Sequence, residues 1–113
     1  MRLAIVGSRS FNDYAWLCEC LSGQEIDVII SGGARGADSL GARYAHEHGI
    51  PLVVYPAQWE LYGMSAGYRR NELIVRDCDS VVAFWDYKSR GTGHTIRLAR
   101  EMGKPVMIFN INR

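Results

Sequence analysis

Short, uniformly apolar runs alternate with longer amphipathic stretches along this chain. The apolar runs predict strands, and because they contain no polar alternation they predict burial on both faces, as in a parallel sheet. Five strands are expected, at Arg2 to Val6, Ile26 to Ser31, Pro51 to Tyr55, Ser80 to Trp85 and Pro105 to Asn110. The pattern therefore predicts an α/β fold, a single Rossmann-like three-layer domain with about five parallel strands flanked by helices.

The amphipathic stretches predict helices in four of the segments between and beside these strands. The helices are expected at Asp13 to Ser22, Ala37 to His48, Gly67 to Asp77 and Thr92 to Met102. Gly23, Gly49 and Gly103 follow three of them, at the position where glycine commonly ends a helix. Each of these helices would then return the chain to the sheet in the crossover that parallel strands require.

One long connection, Pro56 to Ala66, shows no periodic pattern and is expected to be irregular. Loops of this length in a small domain are commonly functional. Trp59 and Tyr62 within it would either stack a nucleotide base or seal the edge of the sheet, and composition leaves both readings open.

Length, charge and cysteine content limit the classes of protein. With 113 residues, of which 48% are hydrophobic, one domain spanning residues 1–113 is expected. The net charge of +1 argues against binding of duplex nucleic acid or an anionic membrane through a global field. Absence of a long apolar run predicts no membrane span and a cytoplasmic location. Cys18 and Cys20 point about 200° apart on a helix, so they cannot easily bind one metal ion together, and no metal site is predicted. No cofactor is predicted either.

In open parallel sheets, ligands bind beyond the carboxyl ends of the strands, where the winding reverses. The segment Ser31 to Asp38 follows the second strand, and its glycines with the next helix start form a phosphate cradle. The segment Gly91-Thr92-Gly93 forms a second glycine turn before the last helix, and Arg9, Arg35 and Arg90 supply cations nearby. These features predict a nucleotide-sized pocket. The missing Gly-Lys-Ser/Thr ending and dinucleotide fingerprint argue against an ATPase and a nicotinamide dehydrogenase.

Four groups of residues occur together in an order that resembles the SLOG superfamily, in its small stand-alone YspA-like branch. They are Gly7-Ser8-Arg9 with Phe11 and Asp13, Ser31 to Asp38, Ala66-Gly67 with Arg70-Asn71, and Phe84-Trp85-Asp86 with Lys88 to Thr95. The superfamily includes the Lonely Guy phosphoribohydrolases and the DNA-binding Smf/DprA proteins. The resemblance implies that the two glycine turns face each other across one pocket, that Arg70 enters this pocket, and that the chain forms a homodimer or higher homo-oligomer.

The resemblance also bears on catalysis. Lonely Guy enzymes pair a catalytic arginine with a glutamate, and the corresponding residues here are Arg70 and Thr95. Because Thr95 is not a carboxylate, the sequence favours binding over glycosidic hydrolysis. Asp38, Asp86 and His94 remain alternative catalytic candidates. Asp38 is equally suited to accept backbone N–H groups at its helix start, Asp86 to cap a loop or hold a ribose, and His94 to make a hydrogen-bonding contact.

The main hypothesis is therefore a protein that binds a nucleotide or a nucleotide-derived small molecule, as a sensor or as a sponge that sequesters a signal, a role suited to a mobile element. One alternative is a nucleoside monophosphate N-glycosidase or phosphoribohydrolase; a second is single-stranded DNA binding. The predicted ligand-binding residues are Gly7, Ser8, Arg9, Ser31, Gly32, Gly33, Ala34, Arg35, Gly36, Asp38, Trp59, Tyr62, Arg70, Asn71, Trp85, Asp86, Ser89, Arg90, Gly91, Thr92, His94 and Thr95.

Overall fold

One sheet of parallel strands forms the centre of the computed structural model, which describes residues 1–112. Its five strands are β1 (Arg2–Gly7), β2 (Val28–Ser31), β3 (Leu52–Val54), β4 (Ser80–Trp85) and β5 (Val106–Asn110). They are arranged in the order β3-β2-β1-β4-β5, so β1 and β4 are central neighbours. The chain winds outward in one direction from β1 and in the other from β4. The predicted α/β fold is confirmed.

Helices cover both faces of this sheet. Along residues 1–112 the α-helices are α1 (Tyr14–Leu21), α2 (Ala37–Glu47), α3 (Trp59–Tyr62), α4 (Ala66–Asp77) and α5 (Arg90–Glu101). Buried side chains of α1 and α2 belong to one hydrophobic cluster, and those of α4 and α5 belong to a second cluster on the other face. Within the described chain, every helix is too short or too polar to cross a bilayer.

Alternation along β1 divides these two clusters. Leu3 and Ile5 face α1 and α2, whereas Ala4 and Val6 face α4 and α5. All four side chains are at most 6% exposed, which explains why the sequence of a central strand is apolar at every position.

The aromatic contact between Phe11 and Phe84 fixes the chain that leaves β1. Their rings stack with centroids 4.7 Å apart, and Phe11 is buried. The backbone N–H of Ser8 also donates to the carbonyl oxygen of Phe84 at 2.9 Å. The loop after β1 is therefore held against the end of β4.

Two sequence-based expectations about burial and loop structure are wrong. Burial on both faces fails for β3 and β5, since Leu52, Val54 and Met107 are 39%, 44% and 51% exposed. The reason is their position at the two edges of the sheet. The segment 56–66 is not irregular, because it contains α3 and a 3-10 helix at Gly63–Ser65. Such short turns lack the length that a periodic pattern needs to be visible.

The second glycine turn is also corrected. α5 begins at Arg90 rather than at Thr92, and Gly91 and Gly93 lie within its first turn. The N–H of Gly93 donates to the carbonyl oxygen of Ser89 at 3.1 Å, which is a helical hydrogen bond. These residues therefore form the start of a helix, and not a separate loop before it.

Candidate functional site

A cavity of about 470 Å³ opens at the carboxyl ends of β1 and β4, where the winding of the sheet reverses. Below, it is called the switch-point cavity. Its walls come from the end of β1, the loops that follow β1, β2 and β4, and residues of α2, α4 and α5. This is the place at which open parallel sheets bind ligands.

The first wall is the turn between β2 and α2, whose last residue, Gly36, has a backbone conformation and close contacts that require glycine. Gly36 has φ of +75°, and a Cβ atom there would lie 2.3 Å from the carbonyl oxygen of Ser8. Ser31 is fully buried, and its hydroxyl accepts from the N–H of Gly33 at 3.2 Å and donates to the carbonyl of Asp38 at 3.3 Å. The turn is therefore packed directly against the loop that follows β1.

Arg70 reaches from α4 to this turn. Its Nη1 donates to the carbonyl oxygen of Gly32 at 2.7 Å, and its Nε donates to Oδ1 of Asn71 at 3.0 Å. A Cβ atom at Gly32 would lie 2.5 Å from Nη1, so a larger residue there would displace the guanidinium. Burial lowers the pKa of the Arg70 guanidinium, and the charge of Asp38 partly offsets this effect. Arg70 thus closes one side of the cavity as a fixed, partly desolvated cation.

Asp38 lies in the first turn of α2 and is 7% exposed. Burial raises the pKa of its carboxyl group, against the opposing effects of the Ala34 N–H, Arg70 and Arg9. Its Oδ2 accepts from the N–H of Ala34 at 3.1 Å. Asp38 therefore tightens the turn as a helix-start carboxylate, and it also lines the cavity.

Asp86 caps the loop between β4 and α5. Its Oδ1 accepts from the N–H groups of Lys88 at 2.8 Å and Ser89 at 2.7 Å. Burial would raise its pKa, but these bonds and the hydroxyls of Ser89 and Ser8 outweigh it and lower the pKa to about 2. A carboxylate held in this way is ionised at neutral pH and is a poor proton donor.

Ser8 has a structural position in the same network. It is 1% exposed; its hydroxyl accepts from the N–H of Asp86 at 3.0 Å and lies 3.1 Å from the hydroxyl of Ser89. It joins the loop after β1 to the loop after β4, which form the floor and one wall of the cavity.

Asn71 and His94 connect α4 to α5. The amide nitrogen of Asn71 donates to the carbonyl oxygen of Gly91 at 3.3 Å and lies 3.2 Å from Nδ1 of His94. Burial, with the charge of Arg97, lowers the pKa of His94, which favours the neutral ring. Its ring also packs edge-on against Tyr68, with centroids 4.5 Å apart.

Thr95 is 2% exposed, and its hydroxyl donates to the carbonyl oxygen of Gly91 at 3.1 Å. This is a helical backbone contact four residues back, so the hydroxyl is engaged within α5. The first N–H groups of α5 have no acceptor within the helix by geometry, and Arg90, Gly91 and Thr92 all line the cavity. A helix start in this position favours an anion.

The structure brings twelve of the predicted ligand-binding residues to the switch-point cavity. They are Gly7, Arg9, Ala34, Asp38, Arg70, Asn71, Asp86, Ser89, Arg90, Gly91, Thr92 and Thr95. Ten others do not line it: Ser8, Ser31, Gly32, Gly33, Arg35, Gly36, Trp59, Tyr62, Trp85 and His94. Several of these ten, such as Ser31 and Gly36, shape the walls from behind.

Three lining residues were not predicted, namely Val6, Ser10 and Ile74. Val6 is 6% exposed and Ile74 is 1% exposed, so both read as ordinary core positions. Ser10 directly follows Arg9, and extending the first motif by one residue would have included it.

The predicted aromatic residues differ in their surroundings. Trp85 already stacks on Tyr87, with ring centroids 4.4 Å apart, and its Nε1 donates to the carbonyl oxygen of Ser89 at 3.0 Å. Trp59 and Tyr62 on α3 are 53% and 41% exposed. Their rings are therefore more accessible to a base than the ring of Trp85.

Comparison with known proteins places these features in context. The chain is 34% identical to the Gene 61 protein of Mycobacterium phage D29, over 96% of this chain and 95% of that relative. It is also similar to the solved structure of DNA processing protein A from Helicobacter pylori, with a TM-score of 0.75 and 21% identity. This similarity covers all of this chain and 67% of the other, and it supports the fold.

The predicted partners need correction at this point. The sequence suggested a nucleotide-derived small molecule and a second copy of the chain as partners, with duplex nucleic acid judged unlikely and single-stranded DNA only a second alternative. The solved structure with this fold is described by its single-stranded DNA binding mode, so its partner is a nucleic acid. The physical reason for the error is that net charge describes the whole surface, whereas a cluster of arginines acts locally.

The remaining comparison concerns the family. Residues 1–62, which contain β1, the first glycine turn and α3, match the model of the family described as YspA, cpYpsA-related SLOG family. This match spans more than half of the chain and agrees with the identity to the phage protein. The chain belongs to the YspA, cpYpsA-related SLOG family.

Proposed function

We propose that this protein binds single-stranded nucleic acid and holds a backbone phosphate in the switch-point cavity. The observation that carries the proposal is the convergence of Arg9, Arg70 and Arg90 on one cavity, beside the start of α5. Arginine grips phosphate oxygens in a planar fork, and helix N–H groups add uncharged donors to the same ligand.

The charge of the cavity supports an anionic ligand. Three arginines and two aspartates line it. The Asp86 carboxylate accepts two backbone N–H groups and the Asp38 carboxylate accepts one, so backbone dipoles offset part of their negative charge. A phosphate would therefore meet one excess positive charge, from three arginines against two aspartates, together with the N–H groups at the start of α5.

A single strand suits this surface better than a duplex. Single-stranded binders combine a cationic groove with accessible aromatic rings on which bases stack. Exposed Trp59 and Tyr62 supply such rings on α3, and the fold is shared with DNA processing protein A, which is described by its single-stranded DNA binding mode. A duplex hides its base faces, and this protein has no large net positive charge to attract it.

The same contacts favour binding over cleavage. Hydrolysis at a glycosidic bond needs a carboxylate or acid placed at the reacting atoms. Thr95 donates its hydroxyl within its own helix, and Asp86 caps a loop with a pKa of about 2. The arginines can hold a phosphate without a catalytic contribution from either residue.

Fluorescence anisotropy with labelled dT12 tests the proposal. Arg9→Gln and Arg90→Gln should each weaken binding and reduce the slope of log K against log salt by about 0.7, the value for one lost phosphate contact on a single strand. Arg100→Gln, at an exposed position in the last turn of α5, is the matched control and should leave both quantities unchanged. A wild-type protein that fails to bind dT12 at low salt would refute the proposal, as would an equal loss in all three variants.

A further inference from the structure

A second cavity, of about 290 Å³, adjoins the switch-point cavity on the side of α3 and α4. The two are neighbours because Arg70 lines both of them. The proposed phosphate contact uses only Arg70 of its lining residues, and the sequence motifs contribute only Ala66 and Arg70 to it. We call it the α3–α4 cavity.

The walls of the α3–α4 cavity combine three kinds of group. Arg69, Arg70 and Arg76 supply cations, and Glu72 is the one carboxylate among the described lining residues. Tyr62 supplies an exposed ring, and Leu73, which is 48% exposed, supplies apolar surface. Positive charge next to an aromatic ring and apolar surface is the combination that a phosphate and a base require together.

Arg69 of the α3–α4 cavity lies over the ring of Tyr62. The guanidinium carbon of Arg69 lies 4.3 Å from the centroid of the Tyr62 ring. The Nε of Arg69 donates to the hydroxyl of Ser65 at 3.2 Å, which helps to hold the guanidinium over this ring. Arg76, in contrast, forms an ion pair with Glu72 one helical turn away. Arg69 and Arg70 have no carboxylate partner among the ion pairs of residues 1–112. Arg70 is held by the Gly32 carbonyl and by Asn71, whereas Arg69 is held by a hydroxyl and a ring.

We propose that the α3–α4 cavity is a second nucleotide subsite, which takes the nucleotide next to the one whose phosphate occupies the switch-point cavity. The proposal rests on the proposed function and extends it. Arg69 contacts the phosphate of this second nucleotide, and the base of that nucleotide lies against Leu73 and the face of the Tyr62 ring opposite Arg69. Arg70 lies between the two phosphates and contributes to both subsites. The protein therefore recognises a strand of at least two nucleotides and prefers it to a mononucleotide.

Nuclear magnetic resonance titrations with dTMP and dT6 separate the two subsites. Arg69→Gln should weaken dT6 binding about tenfold, within the range expected for loss of a charged phosphate contact, and leave dTMP binding unchanged. Tyr62→Leu should weaken dT6 binding at least fivefold, the lower end of the effect of one stacked base, again without an effect on dTMP. Wild-type protein should bind dT6 more tightly than dTMP.

Arg43→Gln is the matched control. Arg43 also lies over a tyrosine ring, that of Tyr14 at 3.8 Å, and also bonds a helical neighbour, Glu47, at 3.0 Å. It belongs to α2 on the opposite face of the sheet, so Arg43→Gln should bind both ligands as wild type does.

The outcomes distinguish the two proposals. If dT6 binds and Arg9→Gln weakens it while Arg69→Gln and Tyr62→Leu do not, the second subsite is refuted and the proposed function stands. Equal losses for dTMP and dT6 in Arg69→Gln would also refute the second subsite, since they would place Arg69 at the first phosphate. If wild-type protein does not bind dT6 at all, both proposals fail.

Discussion

Replacing Gly36 with alanine should disrupt both the stability of the protein and the shape of the switch-point cavity. Gly36 has φ of +75°, and a Cβ atom there would lie 2.3 Å from the carbonyl oxygen of Ser8 and 2.6 Å from the backbone of Arg9. All of these atoms belong to backbone, which cannot move aside as a flexible side chain would. The substitution therefore forces apart the turn after β2 and the loop after β1.

The magnitude follows from two separate costs. A non-glycine residue at this φ costs roughly 1–3 kcal/mol in backbone strain. Overlap with packed neighbours adds roughly 1–3 kcal/mol. Gly36→Ala should thus lower the free energy of unfolding by roughly 2–6 kcal/mol, out of a total of roughly 5–15 kcal/mol for a domain of this size.

Gly49→Ala separates the two costs. Gly49 has φ of +64°, and a Cβ atom there would meet nothing within 4 Å. It should therefore lower the free energy of unfolding by the strain alone, roughly 1–2 kcal/mol. Urea unfolding followed by tryptophan fluorescence measures both variants. If Gly36→Ala is no less stable than Gly49→Ala, the close packing of the two loops is wrong. Loss of dT12 binding should accompany Gly36→Ala and not Gly49→Ala.

Two further predictions concern the aspartates of the cavity. Asp38→Asn retains an acceptor for the Ala34 N–H and removes a negative charge, so it should tighten dT12 binding about fivefold, equivalent to ~1 kcal/mol. Because burial raises the pKa of Asp38, acidification should protonate this carboxylate and tighten dT12 binding to the wild-type protein as well. An unchanged affinity in anisotropy titrations of the variant, or of the wild type at lower pH, would contradict this. The pKa of Asp86 is lowered to about 2, so its ionised carboxylate stabilises the folded protein above about pH 4, and this stabilisation is lost as the pH falls from about 4 to about 2. Asp86→Asn should remove about 1–2 kcal/mol of this pH-dependent stability, after allowance for the partial exposure of the group. Urea unfolding of the variant at pH 2 to 6 should therefore show a flatter dependence of stability on pH than that of the wild type.

The central strands and the phosphate wall were accessible from sequence because local pattern encodes them. β4 has the predicted bounds, Ser80–Trp85, and β1 differs by one residue at its end. Both strands are buried by helices on two faces, so each position must be apolar. The turn from Ser31 to Asp38 likewise carries its glycines at fixed positions along the chain, and Ala34 and Asp38 from it line the switch-point cavity.

Features that depend on the arrangement of elements could not be predicted in this way. The sequence of β3 does not say that it lies at the edge of the sheet, so the exposure of Leu52 was not foreseen. Ser8 was predicted to bind a ligand, yet its hydroxyl contacts Asp86, 78 residues away in the chain. Contacts of this kind exist only once the strand order has brought two loops together.

The amide spectrum of the protein during titration with dT6 tests the central claim most directly. A phosphate in the switch-point cavity should shift the N–H signals of Ala34, Gly91 and Thr92, which line it. The signals of Gly23 and Gly49 should not shift, because these residues precede β2 and β3 and so lie at the amino-terminal ends of the strands. Shifts concentrated at the amino-terminal ends of the strands, or a spectrum that does not change with dT6, would contradict the account.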